Sequence, residues 1–307
     1  MKISMIGSGA MGSLFGGKLS QAGHEVVLYD VYREHVEKVV QDGLAIEDAA
    51  TGAVATSHPH ASADPGAVEG SHVLVFFVKS TATEQAAAQF IAFAGRDTIA
   101  LTLQNGLGNE GIIRRFFGPE RTAAGVTSQG ATFLGPGRIR HAGKGPTHIA
   151  MADGKNEKLA ALAEALGRAG FETYVEKDVA ALVWSKLVIN VGINALTAIS
   201  GQPNGKLLES EEAKAIMADL VAEAVAVAEA GGVHIAYDDP LATVYDVAGK
   251  TAANRSSMLQ DFDKGRETEI DFMNGAIVRE AAAKGLDVPV NLTITRLIKM
   301  LEKARKA

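Results

Sequence analysis

Lys186, Asn190 and Asn194 recur at intervals of four within Leu182–Leu196, a segment otherwise made mostly of Val, Ile, Leu and Trp. On a helix that spacing stacks all three on one face, turn above turn. An ammonium or amide buried without partners costs on the order of kcal/mol, so a polar row in so apolar a segment has a reason. One reason is a buried polar network joining two domains. The other is a cleft. A partly buried Lys has a lowered pKa and can protonate a carbonyl oxygen as hydride reaches the carbon, while the two amides orient a polar substrate.

A second polar cluster follows in Asn254-Arg255-Ser256-Ser257-Met258-Leu259-Gln260-Asp261 and Arg266-Glu267-Thr268-Glu269-Ile270-Asp271. Asn254 and Ser257 are three apart, so they share a helix face or cap a helix; capping alone would account for Ser257 or Thr268. Glu269 reads as the acid that opens the next amphipathic helix, a position favoured by the helix dipole alone.

Hydride chemistry needs a donor, and the amino terminus offers a place for one. In Met5-Ile6-Gly7-Ser8-Gly9-Ala10-Met11-Gly12, three glycines follow the strand-like Lys2–Ile6 and precede a helical pattern from Ser13 to Ala22. Gly7 would make the turn and Gly9 would let a pyrophosphate reach the backbone. Gly12 would let helix and strand pack while the helix amides face the phosphate. Gly23-His24-Glu25 ends the helix, and Val26–Tyr29 reads as a second strand that closes a βαβ unit. Asp30, at its tip, stands where an acid bonds the adenosine ribose hydroxyls; it also suits the N-cap of a helix through His35 to Val40.

Further elements must hold these groups. Gly43–Glu47 and Ala53–Thr56 flank Asp48–Gly52 and read as a hairpin decorating the fold. The apolar run in His72–Val78 is a strand buried on both faces, Thr81–Phe93 a helix, and Thr98–Leu103 the next interior strand. Lys79 and Asn105 follow these strands, on the edge of an open α/β sheet where ligands bind. A solvated strand-end Lys and a turn Asn beside Gly106 are the alternatives. Residues 125–150 suggest more strands, with a helix at Leu159–Ala169 and a last strand at Phe171–Val175. From Asp178 onward helices dominate: Val179–Ile199, Ser210–Ala230, Leu241–Ala253, Thr268–Lys284 and Thr293–Lys306. The expected fold is α/β: a Rossmann-type doubly wound sheet domain over residues 1–177, then an all-helical domain over residues 178–307 that carries the substrate groups.

Composition narrows the function. A chain of 307 residues with 47% hydrophobic content supports two cores. Net charge is −6, with no basic run interleaved with aromatics, which argues against nucleic acid as a partner. There is no Cys, so no disulfide, thiolate metal site or Cys nucleophile, and the His spacing suggests no metal. Without a signal-peptide pattern or membrane-span run, the expectation is a cytoplasmic protein that engages no membrane. The apolar faces of Ser210–Ala230 and Thr268–Lys284 suit either a homodimer interface or the helical domain's own core.

As an ordered set, Gly7-Ser8-Gly9-Ala10-Met11-Gly12, Val78-Lys79, Gln104-Asn105-Gly106, the Lys186, Asn190 and Asn194 helix, and Asn254 with Ser257 and Glu269 resemble the ketopantoate reductase (2-dehydropantoate 2-reductase) family over essentially the whole chain. The resemblance implies reduction of a 2-oxo acid, ketopantoate, to a D-2-hydroxy acid, D-pantoate, by a nicotinamide cofactor, NADH or NADPH, in pantothenate synthesis. Lys186 would be the general acid, supported by Glu269. Asn190, Asn194, Asn254 and Ser257 would hold the substrate carboxylate and hydroxyl, and Lys79 and Asn105 would line the nicotinamide side. The implied site lies between the two domains, assembled as they close. Many members of that family carry a basic residue directly after the second strand, where Asp30 and Val31 stand here, with Arg33 close by. An Asp repels a 2′-phosphate and accepts from a free ribose hydroxyl, so NADH is the expected cofactor. The same scaffold serves NAD-dependent D-2-hydroxy acid dehydrogenases acting on branched or aromatic 2-oxo acids such as benzoylformate. A dinucleotide-binding regulator without turnover is the third reading.

Overall fold

The computed structural model describes residues Met1–Lys306, and close packing divides the chain into two units. The first comprises Met1–Gln104 and Asn109–Val179; the second comprises Asn105–Gly108 and the described residues from Ala180 onward.

The first unit begins β1 (Lys2–Ile6), α1 (Ala10–Gln21), β2 (Glu25–Tyr29) and α2 (Arg33–Asp42). Next come β3 (Leu44–Asp48), β4 (Val54–Ser57), β5 (His60–Ser62), β6 (Val73–Phe76), α3 (Thr83–Phe90), β7 (Ile99–Thr102) and α4 (Asn109–Phe117). It ends with β8 (Thr122–Thr127), β9 (Gly130–Gly135), β10 (Arg138–Gly143), β11 (Thr147–Met151), α5 (Ala160–Arg168) and β12 (Thr173–Val175). The main sheet has eight strands in the order β12-β11-β8-β7-β6-β1-β2-β5. Strand β1 pairs in parallel with both β2 and β6, so the strand order reverses direction around it. Ligands bind beyond the carboxyl ends of the strands at such a reversal, which is where the Gly7–Gly12 turn lies. Strands β1, β2, β6 and β7 are mostly apolar and buried because helices cover both faces of a parallel sheet.

The expected decorative hairpin is a structural part of this unit. Strands β3 and β4 join β9 and β10 in a second, four-stranded sheet of order β4-β3-β10-β9. Helix α1 is held between the two sheets: a Cβ on Gly16 would lie 2.3 Å from Leu28 of β2, and one on Gly17 would lie 2.7 Å from Ile46 of β3. Adjacent glycines let one helix be clasped on two sides.

The second unit consists of α6 (Ala180–Ser200), α7 (Glu211–Ala230), α8 (Pro240–Lys250), α9 (Ser257–Asp263), α10 (Asn274–Lys284) and α11 (Pro289–Lys306), together with the short Asn105–Gly108 segment. Helix α6 is long and apolar enough in composition to cross a membrane, yet 67% of its most apolar window is buried. Its Leu187, Val188, Val191 and Ala195 pack in one core with Leu220, Val221 and Ala224 of α7, so that the apolar face of α7 meets its own unit. The helix expected over Thr268–Lys284 is broken. Ile270–Phe272 forms a 3-10 turn, and α10 starts after Met273, whose φ of −113° and ψ of −104° are not helical. The carbonyl of Phe272 accepts from Leu107 N at 2.8 Å, and this bond ties the Asn105–Gly108 segment to the helices. Likewise Thr81–Phe93 divides into α3 flanked by 3-10 turns.

Candidate active site

Each glycine of the amino-terminal turn occupies a different environment. Gly7 has φ +96°, and a Cβ there would lie 2.7 Å from Val78 N, so both backbone conformation and space require glycine. A Cβ on Gly12 would lie 2.0 Å from Gly7 O, a close helix-to-turn approach. A Cβ on Gly9 would touch nothing within 4 Å, so packing does not explain glycine there, and the bare backbone is open to close approach by a ligand. Gly9 is also the N-cap of α1, with no side-chain cap and no acid in the first turn among Ala10, Met11 and Gly12. The helix amides thus face a position suited to an anion, and these residues fit a dinucleotide pyrophosphate.

Asp30 lies beside the turn. Its Oδ2 accepts from Ser8 N at 2.7 Å and from Ser8 Oγ at 3.4 Å, while Oδ1 accepts from Tyr32 N at 3.0 Å. The N-cap position of α2 belongs to Tyr32, not Asp30, because the Asp30 carboxylate is drawn back to the glycine turn. A carboxylate has lone pairs left for a further donor after accepting these bonds.

Lys79 is exposed at the carboxyl end of β6 and begins the 3-10 turn Ser80–Ala82. Its loop is pinned by Gln104, whose Nε2 donates to Val78 O at 2.7 Å and to Thr83 Oγ1 at 2.8 Å. Thr83 Oγ1 donates to Asn109 Oδ1 at 2.9 Å, and Asn109 Nδ2 donates to Ser80 Oγ at 3.1 Å.

In the second unit, Lys186, Asn190 and Asn194 line one face of α6, with Lys186 and Asn190 half-buried and Asn194 6% exposed. Burial pushes the Lys186 ammonium down to about 8 from the ordinary lysine value of 10.5. Asn194 Nδ2 reaches Ser257 Oγ and Met273 Sδ, each at 3.5 Å. The side-chain amides of Asn190 and Asn254 bond to no other described residue. Asn254 is exposed, and its backbone O accepts from Asn204 N at 3.0 Å.

Ser256, not Ser257, caps α9, accepting from Leu259 N at 3.1 Å. Ser256 Oγ also bonds Thr197 Oγ1 of α6 at 2.7 Å, which seats α9 on α6 and brings Ser257 beside Asn194. Asn254 lies in the stretch before α9, so it shares no helix face with Ser257. Glu269, 7% exposed, precedes the 3-10 turn instead of opening a long helix. Thr268 N, immediately before it, donates to Glu302 Oε1 of α11 at 2.8 Å. A Cβ on Gly106 would lie 2.4 Å from Phe272 O, so the Asn105 segment and the Glu269 turn pack closely.

The sequence matches two family models, one in each half. Ketopantoate reductase PanE/ApbA covers residues 3–154, and Ketopantoate reductase PanE/ApbA C terminal covers residues 178–302. The chain belongs to the ketopantoate reductase PanE/ApbA family. It is 35% identical to the 2-dehydropantoate 2-reductase of Halobacterium salinarum, with 99% of both chains covered, and 35% identical to that of Pyrococcus horikoshii, with 98% of both covered. Among solved structures, the PanE/ApbA family ketopantoate reductase of Ralstonia eutropha matches with a TM-score of 0.91 at 34% identity over 100% of both chains. The ternary structure of D-mandelate dehydrogenase with NADH and anilino(oxo)acetate matches with a TM-score of 0.93 at 29% identity, again over 100% of both. Family membership makes the chain an oxidoreductase with an α/β amino-terminal domain and a helical carboxyl-terminal domain.

Sequence reasoning passed over Gln104 as a side chain, Thr83, Asn109, Ser256 and Glu302. Ser256 had a signal, a serine just before the apolar Met258-Leu259, but the neighbouring serine carries the same signal. The bonds that join Gln104, Thr83 and Asn109 to one another and to Val78 and Ser80 span 21 to 29 residues in sequence, and no local pattern reveals them.

Proposed function

We propose that this protein reduces 2-dehydropantoate to D-pantoate, with NADH as the preferred donor. The observation that carries the reading is Lys186: a half-buried lysine with its pKa lowered to about 8, in line with Asn190 and with Asn194, which sits beside Ser257. Near neutral pH Lys186 is protonated yet acidic enough to donate to a carbonyl oxygen that gains negative charge. A bound dinucleotide supplies the hydride for the carbonyl carbon. Lys186 supplies the proton to the oxygen and is reprotonated from solvent, and Glu269 supports it. Asn190, Asn194, Asn254 and Ser257 hold the carboxylate and hydroxyl by hydrogen bonds, while Lys79 and Asn105 flank the nicotinamide. Gly7–Gly12 takes the pyrophosphate and Asp30 the adenosine ribose. The reading is of a cytoplasmic enzyme, since a chain without Cys suits a reducing compartment.

The likeness to D-mandelate dehydrogenase supports a second reading, a D-2-hydroxy acid dehydrogenase acting on aromatic or branched 2-oxo acids. Measuring kcat/KM for ketopantoate, benzoylformate and 2-oxoisovalerate with NADH and NADPH separates the two. The first reading requires ketopantoate to be the best substrate. Fast benzoylformate reduction beside negligible ketopantoate turnover would replace it with the second.

A further inference from the structure

His35 of α2 is 1% exposed and lies outside the groups assigned to catalysis. Its ring joins the second sheet to the glycine turn. Gly137 N, in the β9–β10 turn, donates to His35 Nδ1 at 3.0 Å, and His35 Nε2 lies 3.2 Å from Ser13 Oγ on α1. Ser13 Oγ donates to Ser8 O at 2.7 Å, and Ser8 N donates to Asp30 Oδ2. The chemistry of the donors sets the direction. A backbone N–H can only donate, so Nδ1 carries no proton, Nε2–H donates to Ser13 Oγ, and the serine proton goes to Ser8 O.

We propose that neutral His35 is the positioning residue of the dinucleotide turn, holding the Ser8 peptide from its carbonyl side while Asp30 holds it from its amide side. Ser8 stands between Gly7 and Gly9, so rotation of either flanking peptide would redirect the backbone amides that meet a pyrophosphate. The inference rests on the dinucleotide reading of that turn. Protonation would put a second N–H against Gly137 N–H and break the chain of bonds at its origin. Of the elements packed on the ring, the residue after β2 contributes the Asp30 carboxylate and the glycine turn contributes the Ser8 backbone, and both favour the charged form. Helix α1 contributes Ser13, and the β9–β10 hairpin contributes Gly137 and the Phe133 ring, 5.1 Å away. Burial outweighs both Asp30 and the Ser8 backbone bond and holds His35 below the ordinary histidine value, so the ring is neutral at pH 7.

The test is NADH and NADPH binding by nicotinamide fluorescence, with thermal melts, for wild type, His35→Phe, His35→Asn and Ser13→Ala. His35→Phe and Ser13→Ala are each expected to raise the NADH Kd about tenfold, and kcat at saturating NADH and substrate stays within about twofold. Their double variant should lose little more than either alone, since both break one chain of bonds. His35→Asn keeps an acceptor for Gly137 N–H without titrating. It should bind more tightly than His35→Phe and abolish the loss of wild-type affinity on acidification through the lowered His35 pKa. Ser13→Ala removes a single hydroxyl, so it remains informative if His35→Phe does not fold. Wild-type binding that these substitutions leave unchanged, or an acid limb that persists in His35→Asn, would overturn this proposal alone. A wild-type chain that binds neither dinucleotide would overturn the dinucleotide reading with it.

Discussion

Ser8 N and Asp30 Oδ2 lie 2.7 Å apart, a charge-assisted hydrogen bond between residues 22 apart in sequence that locks the tip of β2 to the glycine turn. The carboxylate is therefore placed before any ligand arrives, and in the proposed binding mode its charge would meet a 2′-phosphate. Asp30→Asn is expected to weaken NADH binding about tenfold and to raise the NADPH-to-NADH ratio of kcat/KM by about tenfold. A ratio unaffected by the substitution would remove Asp30 from cofactor selection.

The three glycines of the turn separate folding from binding. Gly9→Ala adds a methyl that meets no protein atom, so it should melt like wild type and bind NADH at least about tenfold more weakly. Gly7→Ala and Gly12→Ala drive a methyl into backbone and should cost about 1–3 kcal/mol of stability or more. Calorimetry beside dinucleotide titration checks both. If Gly9→Ala bound NADH normally, no phosphate would approach that backbone.

Lys186→Ala should lower kcat by about a hundred- to ten-thousand-fold and leave the NADH Kd within about twofold. The pH dependence has a definite sign. With its pKa lowered to about 8, Lys186 holds its proton below that pH and loses it above, so kcat for reduction in the wild type falls as pH rises through about 8. A flat profile from pH 7 to 10 would exclude Lys186 as the acid.

Adjacent serines should behave differently. Ser256→Ala removes the α9 cap and the bond to Thr197, and should destabilise the protein by about 1–2 kcal/mol. Ser257→Ala, which loses only a 3.5 Å contact, should keep stability within about 0.5 kcal/mol while raising the KM for the 2-oxo acid about tenfold. Denaturant unfolding with steady-state kinetics would distinguish them, and an unchanged KM in Ser257→Ala would take that hydroxyl out of the substrate site.

Local pattern was enough for much of this molecule. The glycine turn between strand and helix, the unbroken apolar run of β6 and the four-residue spacing along α6 depend on neighbours within a turn or a strand, and each was legible in the sequence. So was the change from sheet to helices near Asp178, because periodicity accumulates over long segments. The α/β class of the amino-terminal domain and the helical class of the carboxyl-terminal one follow from those patterns alone.

Tertiary structure decided what depends on distant partners. Gly43–Glu47 and Ala53–Thr56 read as a decorative hairpin, since the pairing of β3 with β10 joins residues about 93 apart, and no local signal records it. The helix over Thr268–Lys284 breaks because Leu107 takes the Phe272 carbonyl, a competitor far away in sequence. Ser256 rather than Ser257 became the cap because Thr197 lies within reach of it. His35 looked like any polar residue of an amphipathic helix until Gly137 and Ser13 closed around its ring. Residue types and short spacings therefore determined which chemistry this chain can carry. Hydrogen bonds between segments far apart in sequence, whose partners only folding brings together, decided which neighbouring residue holds each group in place.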